Sequence, residues 1–214
     1  MVALEHIQSK MLVGLGTGST AKYLIEGLGQ KITRGELSKI KAIATSEQSR
    51  QLAIKVGIEI VELSKERLDI AIDGMDEIDP ELNAIKGLGG ALTREKIVEA
   101  RAKTLILMAD DSKLVEYLGQ KTHLPIEVVQ FGLEATKEEL REIGLEPNLR
   151  KTNSKTFVSD NGNYILDCQF DKTDIHILAE QINAIPGVVE HGLFLNMADY
   201  VYIATDNDIR KMTR

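Results

Sequence analysis

The sequence has little cysteine and no long apolar run. Cys168 is the single cysteine among 214 residues, so the chain cannot close an internal disulfide, and a disulfide-stapled extracellular scaffold is excluded. No apolar stretch approaches the roughly 20 residues that a membrane-spanning helix needs. The N-terminus lacks the long apolar core of a secretory signal. We therefore expect a globular protein of the cytoplasm with no membrane partner.

Positive charge and aromatic rings are also scarce. The chain carries 26 Lys and Arg against 33 Asp and Glu, a formal net charge of −7, and has five Tyr, four Phe and no Trp. A nucleic-acid-binding surface needs excess positive charge to neutralise phosphates, so we expect no nucleic-acid partner. A small anionic ligand stays possible, because a few local donors are enough to hold it. The apolar fraction of 43% is sufficient for a sizeable core.

The first 120 residues alternate between short apolar runs and segments with helical spacing. The patterns predict strands and helices in turn, at 11–15, 19–28, 41–45, 47–56, 59–63, 68–72, 93–101 and 104–108. Thr45 and Gln48 have the spacing of a capping box for the second helix. This alternation favours an α/β fold with a Rossmann-like, mostly parallel sheet. Ligands of such sheets bind beyond the carboxyl ends of the strands.

From about residue 124 the rhythm changes to a β-α-β-β-α-β order. Strands are predicted at 126–129, 149–159, 163–170 and 188–194, and helices at 137–143 and 174–185, with a hairpin turn at Asp160-Asn161-Gly162. This order is that of a small ferredoxin-like α+β domain, inserted before a final strand at 200–204 that returns to the first sheet. We predict a Rossmann-like catalytic domain of residues 1–120 plus 195–214 and a small domain of residues 121–194.

A glycine-rich turn follows the first strand and opens the first helix. The turn spans residues 14–20, and the free amides of a helix N-terminus suit a phosphate, with the Ser19 and Thr20 hydroxyls as further donors. Residues 16–21 also fit the loose dinucleotide pattern G-x-G-x-x-A. The second strand, however, ends in Thr45-Ser46 instead of the acid that would bind the ribose of a dinucleotide. A tight turn with no ligand is the third interpretation.

An acidic turn follows the strand at 68–72. It contains Asp73, Gly74, Met75 and Asp76 and has five carboxylates within residues 73–81. A solvated turn capped by Asp79 is one interpretation. A metal site is another, but the spacing does not fit a calcium loop, and no His or Cys cluster suits zinc. We therefore expect no metal.

A second glycine loop runs into the helix at 93–101. It contains Lys86, Gly87, Leu88 and Gly89, and Glu95 falls in the first turn of the following helix. Loop amides and a lysine can hold an oxyanion, whereas Glu95 by itself would also be an ordinary N-terminal helix glutamate. Together with the aspartates, these groups suit proton transfer next to the carbonyl of a phosphorylated molecule.

These segments resemble a known family. GLGTGSTA, DGMDEID, KGLGGALTREKIV, ADDSKLV, LPIEV, SDNGNYILD and IPGVVEHGLF are similar to the motifs of type A ribose-5-phosphate isomerases, in the same order from residue 13 to about 205. The resemblance implies interconversion of D-ribose 5-phosphate and D-ribulose 5-phosphate in the pentose phosphate pathway, with no metal and no nucleotide cofactor. It also implies a homodimer or homotetramer whose partner is a small sugar phosphate.

The resemblance also implies roles for single residues. Glu95 is the expected base between C1 and C2, and Asp73 and Asp76 are expected to hold sugar hydroxyls, with Asp73 assisting proton movement between the oxygens. Lys86 with the amides of residues 87–89 is expected to stabilise the negative charge. The remaining substrate-binding residues implied are Thr17, Gly18, Ser19, Thr20, Gly74, Met75 and Lys113. Leu88 and Met75 stand where the family usually has glycine and alanine.

Two other functions stay open on the sequence. A sugar-phosphate-sensing domain would have the same binding loops without catalysis, although Glu95 argues against it. An oxidoreductase that uses a nucleotide at residues 16–21 is the other, and the missing ribose-binding acid counts against it.

Overall fold

The computed structural model describes residues 2–214. Its helices are α1 (Ser19–Thr33), α2 (Glu47–Lys55), α3 (Leu92–Glu99), α4 (Leu133–Glu142) and α5 (Ile175–Asn183). Its strands are β1 (Leu12–Leu15), β2 (Lys41–Ala44), β3 (Glu59–Ile60), β4 (Ile70–Gly74), β5 (Glu77–Ile78), β6 (Ala84–Ile85), β7 (Leu105–Asp110), β8 (Leu124–Val128), β9 (Glu146–Leu149), β10 (Lys151–Thr152), β11 (Lys155–Thr156), β12 (Tyr164–Gln169), β13 (Val188–His191), β14 (Leu193–Phe194), β15 (Tyr200–Ala204) and β16 (Ile209–Thr213). Two short 3₁₀ turns, Val2–His6 and Asp111–Lys113, complete the list.

The backbone divides into two compact units. The first comprises residues up to Met75, Arg94–Ser112 and Met197–Arg214, and the second comprises Asp76–Thr93 and Lys113–Asn196. These units differ from the predicted domains mainly in residues 76–93, which the prediction places in the first domain. The predicted domain bounds themselves stay a prediction.

The first unit is built on a seven-stranded sheet in the order β16-β15-β7-β4-β1-β2-β3. All neighbours pair in parallel except β15 and β16. Helices α1 and α2 contribute Leu24, Leu28 and Ala53 to a core with Leu15 and Ile72. Val98 of α3 forms a second hydrophobic cluster with Ile43 and Leu68. With both faces covered, the central strands are almost wholly buried, which explains their short unbroken apolar runs. The mostly parallel α/β sheet is confirmed.

The N-terminus of α2 corrects one prediction. Its N-cap is Ser46, whose hydroxyl accepts the Ser49 amide at 3.2 Å, so Thr45 was the wrong capping residue. The Thr45 hydroxyl instead donates to the Leu15 carbonyl at 3.1 Å, because Thr45 still follows the path of β2 beside β1.

The second unit contains a four-stranded antiparallel sheet in the order β13-β8-β12-β9. Its chain order, with α4 after β8 and α5 after β12, is the ferredoxin-like β-α-β-β-α-β pattern. Leu140 of α4 and Leu178 and Ile182 of α5 pack with Ile126 and Leu166 of the sheet. Strands β14, β6 and β5 form a separate antiparallel sheet in this unit.

Some predicted elements of the second unit were wrong in extent. Instead of one strand at 149–159, β9 ends at Leu149, and β10 and β11 form a small hairpin. Asn153 and Ser154 take φ values of 51° and 64°, the left-handed pair that a two-residue hairpin turn requires. The predicted strand at 188–194 is divided between two sheets, as β13 and β14.

Among residues 2–214, none of the helices has the length and apolar character needed to cross a bilayer.

Candidate active site

Asp73 lies against the first glycine loop in the first unit. Strands β1 and β4 are parallel neighbours, so the loops that follow them leave the same edge of the sheet. The Thr17 and Gly74 amides donate to Asp73 Oδ1 at 2.9 and 2.6 Å, and Asp73 is only 1% exposed. An ideal Cβ at Gly16 would overlap the Asp73 carboxylate. The loop therefore needs glycine at 16 because the carboxylate occupies that space.

A group of hydroxyls holds the loop from its other side. Thr17 Oγ1 lies 2.7 Å from Thr45 Oγ1 and donates to Ser46 Oγ at 2.8 Å, and the Ser49 hydroxyl donates to the Gly16 carbonyl at 2.7 Å. Sequence reasoning assigned no site role to the residues at 45, 46 and 49. The signal available was that Thr45-Ser46 end β2, the strand next to β1, and so reach the same edge.

The rest of the first loop opens α1. Gly18 has a φ of 101° and is the N-cap of the helix, and Gly18 and Ser19 are exposed. A Cβ built on Gly74 would lie 3.6 Å from Thr20 Cβ, so Thr20 stands beside the end of β4. The first amides of a helix lack partners within it, and an anion can be held there.

Glu95 lies in the first turn of α3 and is 4% exposed. Val98, three residues later and on the same helix face, would contact a Cβ placed at Gly14 of β1 at 2.9 Å. Because α3 lies in the connection between the parallel strands β4 and β7, its N-terminus returns to the carboxyl edge of the sheet. Glu95 and Asp73 are therefore buried carboxylates at the same edge of the first unit.

Asp76 and the second glycine loop lie together in the second unit. The Asp76 amide donates to the Ile85 carbonyl at 2.8 Å, and Asp76 Oδ2 accepts the Leu88 amide at 2.9 Å. Lys86 is 2% exposed, and its Nζ lies 5.3 Å from the ring centroid of Phe194, within cation–π range. The structure thus joins one of the predicted aspartates to the predicted loop.

Leu88 does not disturb the loop, although the family usually has glycine there. The positive φ values belong to Gly87 at 105° and Gly90 at 82°, whereas Leu88 has an ordinary backbone and an exposed side chain. The carbonyls of Gly87 and Leu88 accept Arg150 Nη1 at 3.1 and 2.9 Å. Arg150 is a second residue that sequence reasoning did not assign to the site.

The other carboxylates of the acidic turn have separate partners. Glu77 is fully buried and accepts the amides of Gly119, Lys121 and Thr122 at 2.5–2.6 Å. Asp79 accepts the amides of Glu81 and Asn83 at 2.9 Å and so closes its own turn. Within residues 2–214 no group of three or more His, Cys, Asp or Glu is arranged to hold a metal ion.

Lys113 and Met75 complete the predicted set. Lys113 ends the 3₁₀ turn Asp111–Lys113 and is half-buried, and the next residue, Leu114, forms a bridge with Ile78 of β5. Met75 is 6% exposed. The predicted residues thus fall into two groups, one around Asp73 in the first unit and one around Asp76 in the second.

One family of known proteins matches this chain along most of its length. The family model for ribose 5-phosphate isomerase A (phosphoriboisomerase A) matches residues 41–208. The ribose-5-phosphate isomerase A of Deinococcus radiodurans is 51% identical over 209 residues, which cover 97% of this chain and 92% of that protein.

Solved structures agree with this result. The ribose 5-phosphate isomerase of Plasmodium falciparum has a TM-score of 0.97 and 39% identity, over 100% of this chain and 95% of that one. A D-ribose-5-phosphate isomerase in complex with phospho-erythronic acid has a TM-score of 0.96 and 44% identity, with the same coverage. The chain therefore belongs to the ribose 5-phosphate isomerase A family.

Proposed function

We propose that this protein interconverts D-ribose 5-phosphate and D-ribulose 5-phosphate through an enediolate, in the pentose phosphate pathway. The observation that carries the proposal is the burial of Glu95 at the sheet edge where Asp73 also lies. A buried carboxylate in the first turn of a helix is positioned and sheltered from water, as a base for a weakly acidic C–H requires. Membership of the family supports the same reaction.

The proton transfer at carbon begins with the open-chain aldehyde. The Glu95 carboxylate takes the proton from C2, the electron pair of that bond forms the C1–C2 double bond, and the aldehyde oxygen becomes negatively charged. Glu95 then returns the proton to C1, while the O2 proton moves to O1 and the ketone forms at C2. Asp73 assists the movement between the oxygens.

The negative charge on oxygen needs groups that are in place before the reaction. Lys86 supplies a full positive charge, and the amides of Gly87 and Gly89 supply hydrogen bonds, while the Leu88 amide holds Asp76 at 2.9 Å. The burial of Lys86 supports this role, because electrostatic stabilisation is stronger where water is excluded. The proposal requires neither a metal nor a nucleotide.

The remaining predicted residues bind the substrate. Asp76 holds a sugar hydroxyl, Thr17–Thr20 hold the phosphate at the start of α1, and Lys113 adds a positive charge. Gly74, Met75 and Leu88 lie against the sugar. The structure solved with phospho-erythronic acid supports a sugar-phosphate ligand, since that compound is itself a phosphorylated sugar acid.

We also propose that the protein is a homodimer or homotetramer of the cytoplasm. The resemblance to the family carries this proposal, and Phe131, which is 93% exposed, is a candidate contact between copies. Cys168 is the single cysteine and is buried, so the fold uses no internal disulfide, as is usual for proteins of a reducing compartment.

The test is to mix the protein with ribose 5-phosphate and EDTA in deuterated water. We expect ribulose 5-phosphate to form, and the recovered sugar to carry solvent deuterium at the exchanged carbon. Binding without isomerisation or exchange would favour a sensing domain and contradict the proposal. Loss of activity in EDTA would contradict metal independence alone.

A further inference from the structure

The Arg150 side chain forms hydrogen bonds with two consecutive carbonyls of the second glycine loop. Its Nη1 donates to Gly87 O at 3.1 Å and to Leu88 O at 2.9 Å. These groups belong to one unit of the structure, and Arg150 lies 63 residues from Gly87 in the sequence. The loop also has a turn bond of its own, from the Gly90 amide to the Gly87 carbonyl at 2.9 Å.

Because the peptide bond is planar, a hydrogen bond to a carbonyl also fixes the direction of the N–H group in the same peptide unit. In a trans peptide the C=O and the following N–H point in opposite directions. Fixing the carbonyls of Gly87 and Leu88 therefore fixes the directions of the Leu88 and Gly89 N–H groups. The Leu88 amide does point away, to Asp76 Oδ2 at 2.9 Å. The direction of the Gly89 N–H is fixed in the same way, because it shares a peptide plane with the Leu88 carbonyl.

Arg150 is itself held rigidly. Its Nε donates to Asp167 Oδ2 at 2.9 Å, and its Nη2 donates to Asp167 Oδ1. Its backbone amide donates to Ile165 O and its carbonyl accepts the Phe157 amide, at 2.9 and 3.0 Å. The side chain is 10% exposed, and the guanidinium lies 5.7 Å from the ring centroid of Phe157.

Phe157 contacts the same loop from the neighbouring position. A Cβ at Gly90 would overlap its ring, so the ring closes the space beside the end of the turn. Asp167 balances the charge of Arg150 in a two-bond pair, so Arg150 acts on the loop through hydrogen-bond direction and adds little net charge to it.

We infer that Arg150 is a positioning residue for the isomerisation, which aims the Gly89 amide at the oxygen that becomes negatively charged and keeps the Leu88 amide on Asp76. This inference rests on the proposed function for the identity of that oxygen. Lysine cannot replace arginine here, because a single ammonium cannot bond two carboxylate oxygens and two carbonyls in one plane.

The main test compares R150K with the intact protein by kinetics. We expect kcat to fall about 10- to 100-fold, the penalty of a small misplacement of catalytic groups, while KM changes less than about threefold. The inhibition constant of phospho-erythronic acid, whose planar carboxylate imitates the enediolate, should rise by the same factor as kcat/KM falls. A merely structural role would lower the amount of active protein and leave that inhibition constant unchanged.

A second measurement needs no activity. Hydrogen exchange of the Leu88 and Gly89 amides should speed up at least about tenfold in R150K, since loss of the clamp frees the loop locally. If the intact protein fails to isomerise ribose 5-phosphate, the proposed function fails, and the exchange result alone decides whether Arg150 holds the loop.

Two further variants complete the design. R141K makes the same substitution at an exposed arginine paired with Glu138 on α4 and should leave every readout unchanged. D167N keeps Arg150 but weakens its support, so it should shift the same readouts in the same direction and decides the matter if R150K does not fold. The inference would be overturned if the folded R150K or D167N variant kept the kinetic constants, the inhibition constant and the amide exchange rates of the intact protein.

Discussion

The carboxylate of Asp73 occupies the space beside Gly16 that a side chain at residue 16 would need. A Cβ at residue 16 would overlap that carboxylate, and the next amide, that of Thr17, donates to Asp73 Oδ1 at 2.9 Å. The glycine of the first loop and the aspartate at the end of β4 therefore form one arrangement, in which neither can change alone.

Replacing Gly16 with alanine tests this arrangement. We expect G16A to displace Asp73 and to lower kcat/KM by about 100-fold, the effect of a shift of about 1 Å, and to reduce the free energy of unfolding by about 1–3 kcal/mol through overpacking. Steady-state kinetics and urea unfolding would measure both. G27A is the matched control, since its Cβ meets only the end of the Leu4 side chain; activity should be kept. Full activity in G16A would separate Asp73 from the reaction.

Replacing Glu95 with glutamine removes the proposed base and keeps its shape. Turnover of ribose 5-phosphate should fall about 10²- to 10⁴-fold, the usual contribution of such a group, while the thermal unfolding midpoint stays near that of the intact protein. E99Q changes a buried carboxylate one turn further along α3 and should keep its kcat. Near-normal turnover in E95Q would remove Glu95 from the mechanism.

The Glu127 carboxylate accepts hydrogen bonds from four side chains in the interior of the second unit. Its buried carboxylate accepts the hydroxyls of Thr93 and Ser159 at 2.5 and 2.8 Å and the side-chain amides of Asn161 and Asn163 at 3.0 and 2.9 Å. In E127Q an NH₂ group would face these donors, so we expect the free energy of unfolding to fall by about 2–3 kcal/mol. Urea unfolding measures the change, with the exposed E180Q as control. Equal stability of the two variants would show that the cluster contributes little.

Asp69 makes the free energy of unfolding depend on pH in the acidic range. The Lys103 ammonium at 2.7 Å, followed by the Leu12 amide at 2.9 Å, lowers the pKa of this carboxyl below its ordinary value. Because the folded protein binds the proton more weakly, the contribution is complete above the unfolded pKa of about 3.9 and is lost as the pH falls through the lower folded value.

The measurement is urea unfolding of the intact protein and of D69N at several pH values. D69N should be less stable near neutral pH, by about 1 kcal/mol or less because the pair is partly exposed, and the difference should shrink below pH of about 4. A difference that is constant with pH would contradict the ionic origin.

Much of the fold could be predicted from the sequence because its determinants are local. The apolar run before residue 16 and the helical spacing after Ser19 predicted β1 and α1. The order of elements after residue 124 predicted the ferredoxin-like sheet, which the structure confirms. The strand predicted at 149–159 was wrong because Asn153 and Ser154 adopt left-handed turns, which apolar periodicity does not reveal.

The residue types of the site were also accessible to sequence reasoning. The first glycine loop and the acidic turn each follow a predicted strand, and strand ends on a parallel sheet share an edge, whereas the second glycine loop was recognised because it opens a helix. Asp73, Asp76, Lys86 and Glu95 could be chosen on that basis together with the resemblance. Their assigned roles remain predictions until the variants are measured.

The sequence by itself determined which short segments become strands, helices and tight turns, since neighbouring residues decide these. Only the tertiary structure decided which donor each carboxylate receives: Asp73 bonds Thr17 across 56 residues of chain, and Arg150 reaches Gly87 across 63. Such pairings depend on directions and distances of a few tenths of an ångström between groups far apart in the chain. Local composition carries no record of those distances.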